Sequence, residues 1–93
     1  MRAIDRSTAF KRDYKRETKG RYRATLDGDL KTVLFALVTD TLLDAKFRDH
    51  DLSGDWAGYR ECHVKPDLLL IYRKTDSDLI RLARLGSHSE LFG

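Results

Sequence analysis

The stretch from Tyr59 to Gly86, YRECHVKPDLLLIYRKTDSDLIRLARLG, decides the fold. Tyr59 to Val64 alternates between polar and apolar residues and reads as a strand. Pro66-Asp67 marks a turn. Leu68 to Arg73 is apolar enough for a central strand. Thr75-Asp76-Ser77-Asp78 is a hairpin turn, and Leu79 to Leu85 is a third strand that Gly86 ends. Within the first strand, Cys62 and Val64 are the natural core members. Glu61 and His63 then fall on the opposite face. Both faces of Leu79 to Leu85 carry apolar groups, so alternation leaves the direction of Arg84 open.

One face of such a sheet needs a cover, and the first half of the chain supplies it. Leu26, Leu30, Val33, Leu34, Leu37 and Val38 form one stripe of an amphipathic helix that starts at about Arg23. Gly28 weakens its early turns by roughly 1 kcal/mol relative to Ala. An earlier helix begins at Ser7, a capping residue, and carries Phe10 and Tyr14 one turn apart. It is expected to end near Lys19-Gly20. Arg2 to Asp5 reads as a short strand. Asp40 is expected to cap a short turn through Leu42 and Leu43, and Asp44 to Trp56 reads as a connecting segment. The expected class is α+β, with an N-terminal helix hairpin on one face of a small, mostly antiparallel β-sheet.

Ninety-three residues make one domain, residues 1–93, with 41% hydrophobic and 35% charged residues. No apolar run approaches the roughly 18 residues of a membrane span. The N-terminal residues lack an apolar signal region, which argues against secretion. The single cysteine, Cys62, excludes an internal disulfide framework and a cysteine-rich zinc site. A reducing cytoplasm is expected. So short a chain scarcely holds a Rossmann domain or a barrel with its own pocket. Any catalysis is expected on an open surface, on a large substrate or with a partner's help.

The net charge of +3 is unevenly spread. Residues 1–25 hold nine Lys and Arg against three acids, a net +6, and the remainder holds nine against twelve, a net −3. A basic first quarter fits a polyanion such as RNA or DNA, an acidic protein, or simply a solvated helix face.

All three histidines, His50, His63 and His88, lie in the second half. Asp67 and Arg84 stand at ends of neighbouring strands, and Phe92 lies next to the last residue. A turn near Lys65-Pro66 brings His63 and Asp67 close. These residue types have one joint use. Cleavage of RNA by its own 2′-hydroxyl needs a base, an acid and a cation for the crowded phosphate. Histidine titrates near working pH, arginine's fork suits phosphate, and an aromatic ring stacks on a base. The substrate brings the nucleophile, so the chemistry requires neither a metal nor another cofactor. Each residue also has a plain reading: a solvated His50, an Arg84–Asp67 ion pair, a Phe92 plug against the sheet, packing by Trp56 and Tyr59, and an inert core thiol at Cys62. A metal site is not assigned, because no His-x-x-x-His or similar spacing occurs.

The stretch His50 to Tyr72, HDLSGDWAGYRECHVKPDLLLIY, strongly resembles the YafQ toxins of the RelE/ParE superfamily. Their pattern is roughly His-x-Leu-x-Gly-x-Trp-x-Gly-Tyr-Arg-acid-x-His, a small gap, then Pro-Asp and an apolar strand. The ending Arg84 to Gly93, RLGSHSELFG, looks like the same family's close. Residues 1–45 match only as two helices. The resemblance implies a compact RelE-like α+β fold and a toxin of a type II toxin–antitoxin system. It further implies a ribosome-dependent, metal-independent endoribonuclease (an mRNA interferase) that cuts mRNA in the decoding site and leaves a 2′,3′-cyclic phosphate and a 5′-hydroxyl. The family's positions fall on His50, Glu61, His63, Asp67, Arg84, His88 and Phe92. His88 is then first choice for general acid, and His63 and His50 are candidates for base and phosphate contact. Asp67 orients or tunes a histidine, Arg84 holds the scissile phosphate, and Phe92 holds the nucleotide in line. Lys15 and Arg16 are expected to contact ribosomal RNA phosphates. The implied partners are mRNA, the ribosome and a cognate DinJ-like antitoxin in a bacterial cytoplasm, with no membrane. The sequence departs from the pattern at Glu61, often Asp in the family, at Cys62 in place of a small residue, and at Leu68 in place of an aromatic.

Two other readings compete. A non-enzymatic ParE-like toxin inhibits DNA gyrase on the same fold, but needs no clustered histidines. A plain RNA- or ribosome-binding module needs only the basic first quarter.

Overall fold

The structure, a computed structural model, covers residues 1–93. In chain order it has β1 (Ala3–Arg6), α1 (Thr8–Glu17), α2 (Leu26–Val38), β2 (His50–Asp51), β3 (Arg60–Lys65), β4 (Leu68–Lys74), β5 (Leu79–Gly86) and α3 (His88–Phe92). The five strands form one sheet in the order β1-β5-β4-β3-β2. Only β1, beside β5, runs parallel to its neighbour. The expected α+β class and mostly antiparallel sheet are both present.

Both N-terminal helices cover one face. Phe10 of α1 and Leu26, Leu30, Val33, Leu37 and Val38 of α2 are buried against Cys62, Val64, Leu68, Leu70, Tyr72, Ile80, Leu82 and Leu85. Leu69 and Ile71 are equally buried but lie outside this cluster, on the other face of β4. They form an apolar floor beneath the side of the sheet that carries no helix hairpin.

A β-bulge decides what β5 presents there. Ile71 pairs with Arg84 but Tyr72 pairs with Leu82, so Ala83 is an extra residue without a partner on β4. Without it, Arg84 follows Leu82 onto the helix side. With it, Leu85 enters the core and Arg84 turns to the open face. Ser7 secures the bulge from outside: its hydroxyl donates to the Ala83 carbonyl at 2.8 Å and accepts the Phe10 N–H that caps α1.

Several local expectations are corrected. α1 stops at Glu17 with Thr18 as its C-cap, short of Lys19-Gly20. α2 starts at Leu26, after a turn, rather than at Arg23. Asp40 caps nothing; it stands at φ +54° and its carboxylate joins Arg2 to Lys74. The cap in this region is Asp44, at a short 3-10 turn over Ala45–Phe47. The connecting segment contains strand β2, and the tail is helix α3. β5 does end at Gly86, as expected.

Candidate active site

The face without the helix hairpin carries two cross-strand rows. In the first, His50, Glu61, Ile71 and Arg84 are successive register partners across β2, β3, β4 and β5. In the second, His63 pairs with Leu69 and Leu69 with Gly86. The chain then passes Ser87 into α3, whose first residue is His88. Neighbouring strands lie about 4.8 Å apart, so the first row spans on the order of 14 Å and the second about 10 Å. Separated pieces of sequence thus meet on one open surface.

His50 is held at both ring nitrogens. Nε2 lies 3.0 Å from Glu61 Oε2, and Nδ1 lies 2.7 Å from the Arg48 carbonyl. The Nδ1 contact is a hydrogen bond, and the Nε2 contact sets the ring beside the carboxylate. Glu61 is buried, and its second oxygen, Oε1, has no hydrogen-bond partner. The segment before His50 is tied to the sheet by Asp49. Its carboxylate accepts from Arg60 Nη2 at 2.8 Å and from the hydroxyl of the buried Tyr72. Burial, reinforced by that bond, raises the Tyr72 pKa.

His63 is held at one nitrogen. Nδ1 lies 3.3 Å from the Pro66 carbonyl, at the long end of hydrogen-bond range, in the turn between β3 and β4. A proton on Nδ1 leaves Nε2 with a free lone pair. The expected His63–Asp67 partnership is absent. Asp67 is exposed, and Arg21, 3.8 Å away, is its charged neighbour. Turning through Pro66 aims its carbonyl, not the next carboxylate, at the imidazole.

Arg84 does not pair with Asp67 either. Its acid is Asp13 of α1, which takes Nε at 2.7 Å and Nη2 at 3.3 Å. Asp13 is 4% exposed. Burial opposes its ionisation, but the bonds from Arg84 and the Leu85 N–H, with the charges of Arg84 and Arg16, outweigh it and lower its pKa. Arg16 belongs to this structure. It contacts Asp13, Glu17 and Glu90 and donates from Nη2 to the Leu85 carbonyl at 2.8 Å. Its side chain nevertheless stays 41% exposed. Lys15, by contrast, is exposed and makes no ion pair.

His88 is exposed and its ring makes no hydrogen bond. Its ring leans on Phe92 one turn later, with centroids 5.1 Å apart and the planes tilted by 42°. Phe92 itself is 38% exposed, so it is no plug. A capping box holds this helix: Ser87 Oγ accepts the Glu90 N–H, and Glu90 Oε1 accepts the Ser87 N–H. Ser87-His88-Ser89-Glu90 carries that signal in the sequence as Ser-x-x-Glu. Asp13 was also legible in part, as a carboxylate on the same helical stripe as Phe10, Tyr14 and Glu17.

Trp56 and Tyr59 pack edge to face at 5.3 Å, as expected. Cys62 is buried, and burial raises its pKa, which makes it an inert thiol. No three His, Cys, Asp or Glu side chains are grouped closely enough to hold a metal ion. No helix is long and apolar enough to cross a membrane.

This architecture, two helices behind a five-stranded sheet with a histidine-bearing open face, is the RelE-like α+β fold. The family model described as "Bacterial toxin of type II toxin-antitoxin system, YafQ" matches residues 2–93. The chain belongs to this family of toxins. It is 40% identical over 92 residues to the mRNA interferase toxin YafQ of Escherichia coli K12, covering 97% of this chain and 99% of that one. The crystal structure of YafQ from E. coli BL21(DE3) superposes with a TM-score of 0.86 at 40% identity, covering all of both chains. A chain of the E. coli DinJ–YafQ toxin–antitoxin complex superposes with a TM-score of 0.84 at 42% identity, covering 99% of this chain and 98% of that one.

Proposed function

We propose that this toxin is an mRNA interferase that cleaves its substrate by transesterification on the open face of the sheet. The observation that carries the reading is the different engagement of three imidazoles around Glu61 and Arg84 on that face. His63, with Nδ1 turned to the Pro66 carbonyl, offers Nε2 as the base for the 2′-hydroxyl proton. The 2′-oxygen attacks phosphorus, the bond to the 5′-oxygen breaks, and His88 donates a proton to that leaving oxygen. The products are a 2′,3′-cyclic phosphate and a 5′-hydroxyl. Arg84 stabilises the charge that develops on the phosphate. His50, set between Glu61 and the Arg48 carbonyl, is the second histidine for base or phosphate contact. Phe92, carried on His88's helix, stacks on a nucleobase. Asp67 stands with Arg21, outside this proton path.

The substrate is mRNA held in the ribosomal decoding site, since a shallow face of this kind gains alignment from a template. Lys15 contacts ribosomal RNA. A DinJ-like antitoxin is the cognate partner, and the compartment is the bacterial cytoplasm. Gyrase inhibition on the same scaffold gives these imidazoles no task. The test is His88→Ala in a translation reaction, with the fold checked by circular dichroism. Cleavage is expected to fall by ~10²–10⁴-fold while the fold persists. Undiminished cleavage by a folded variant removes His88 from the chemistry.

A further inference from the structure

α1 lies against β5 beyond the end of β1, where a fifth-strand neighbour has run out. There, side chains replace the missing strand. At Leu85 the N–H is taken by Asp13 Oδ2 at 3.0 Å and the carbonyl by Arg16 Nη2 at 2.8 Å. The same Asp13 oxygen takes Arg84 Nε at 2.7 Å, and the other takes Nη2 at 3.3 Å. One buried carboxylate therefore fixes both the guanidinium and the backbone of the strand that leads to His88. We propose that Asp13 is a positioning residue of the nuclease: it clamps one edge of Arg84 and so presents the opposite edge to the scissile phosphate. The inference rests on the reading of Arg84 as the phosphate ligand.

The geometry favours positioning over simple neutralisation. A guanidinium carries five N–H groups, and Asp13 occupies Nε and one on Nη2, leaving three for a phosphate. Arg84 is 28% exposed at its side chain, so part of the group meets solvent while its stem is held. Arg16 shares the Asp13 carboxylate and is itself bound by Glu17 and Glu90, so the clamp is supported from a second side. A planar fork held at one edge retains little rotational freedom, and misplacement by about 1 Å can cost on the order of 100-fold in rate.

The test is a double-mutant cycle with Asp13→Asn and Arg84→Ala, read as single-turnover cleavage of ribosome-bound message. Asp13→Asn in the wild-type background is expected to lower the rate constant by roughly 10- to 100-fold, with half-saturation little changed. In the Arg84→Ala background the same substitution is expected to cost less than about threefold. Equal losses in both backgrounds overturn the inference and leave Asp13 as a fold residue. Full activity of Arg84→Ala instead overturns the underlying reading of Arg84. Should Asp13→Asn not fold, the wild-type protein decides. The Arg84 Nε–H signal in ¹⁵N NMR is expected to stay protected when a short RNA with a 2′-deoxy scissile position is bound. Its release to solvent exchange on binding contradicts the clamp.

Discussion

His50 and His63 carry the same ring on one strand pair, yet the chain gives them different chemistry. His50 lies between a carboxylate and a backbone carbonyl, whereas His63 meets one backbone carbonyl alone. Which histidine is held in which way was not legible from spacing, because the acceptors at Arg48 and Pro66 are backbone carbonyls that every residue type offers. The partner of Arg84 was hidden for a different reason: Asp13 lies far away in sequence, and only packing of α1 on β5 brings it there. Asp13 and Glu90 also link stability to pH. The pKa of Asp13 is lowered by Arg84, the Leu85 N–H and neighbouring charge against the cost of burial; that of Glu90 is lowered chiefly by its bond from the Ser87 N–H. A carboxyl lowered in the folded state contributes its stability in full above its unfolded pKa of roughly 4 and loses it as pH falls through the folded value. Urea midpoints measured from pH 6 to pH 3 are expected to drop less steeply in Asp13→Asn than in wild type. Parallel curves contradict the assigned role of the charge.

At the scale of elements, α3 is short and depends on its ends. The Ser87–Glu90 capping box satisfies two N–H groups that a five-residue helix leaves open. Ser87→Ala is expected to destabilise that turn by about 1 kcal/mol. Because α3 adds no buried residue to the core, the melting temperature is expected to move little while cleavage falls several-fold as His88 and Phe92 lose their setting. A large fall in melting temperature with unchanged cleavage contradicts this division. The main elements were legible from a period and from a run: the stripe from Leu26 to Val38 is buried except for the half-buried Leu34, and the continuous apolar stretch from Leu68 to Tyr72 is buried on both faces. Short elements escaped. β2 has two residues and no period, and α3 is named only by its cap. The bulge at Ala83 lies outside any periodic reading, since it breaks the alternation that such reading relies on.

For the molecule as a whole, fold and function separate onto two faces. One side of the sheet is spent on the core, and the other holds imidazoles over Leu69 and Ile71. The basic first quarter is less free than its charge implied: Arg16 is tied inward, and Arg2 pairs with Asp40. Lys11 and Lys15 of α1 remain exposed. Lys11/Lys15→Glu is expected to weaken ribosome binding and to lessen its dependence on salt, lowering the log–log slope by roughly one unit or more. An unchanged slope removes α1 from the ribosomal contact. The central claim is that this face turns the message's own 2′-hydroxyl against its phosphate. The most direct measurement is the chemistry of the ends left on a message cut by the wild-type toxin. A 2′,3′-cyclic phosphate paired with a 5′-hydroxyl is predicted; a 3′-hydroxyl paired with a 5′-phosphate contradicts the account.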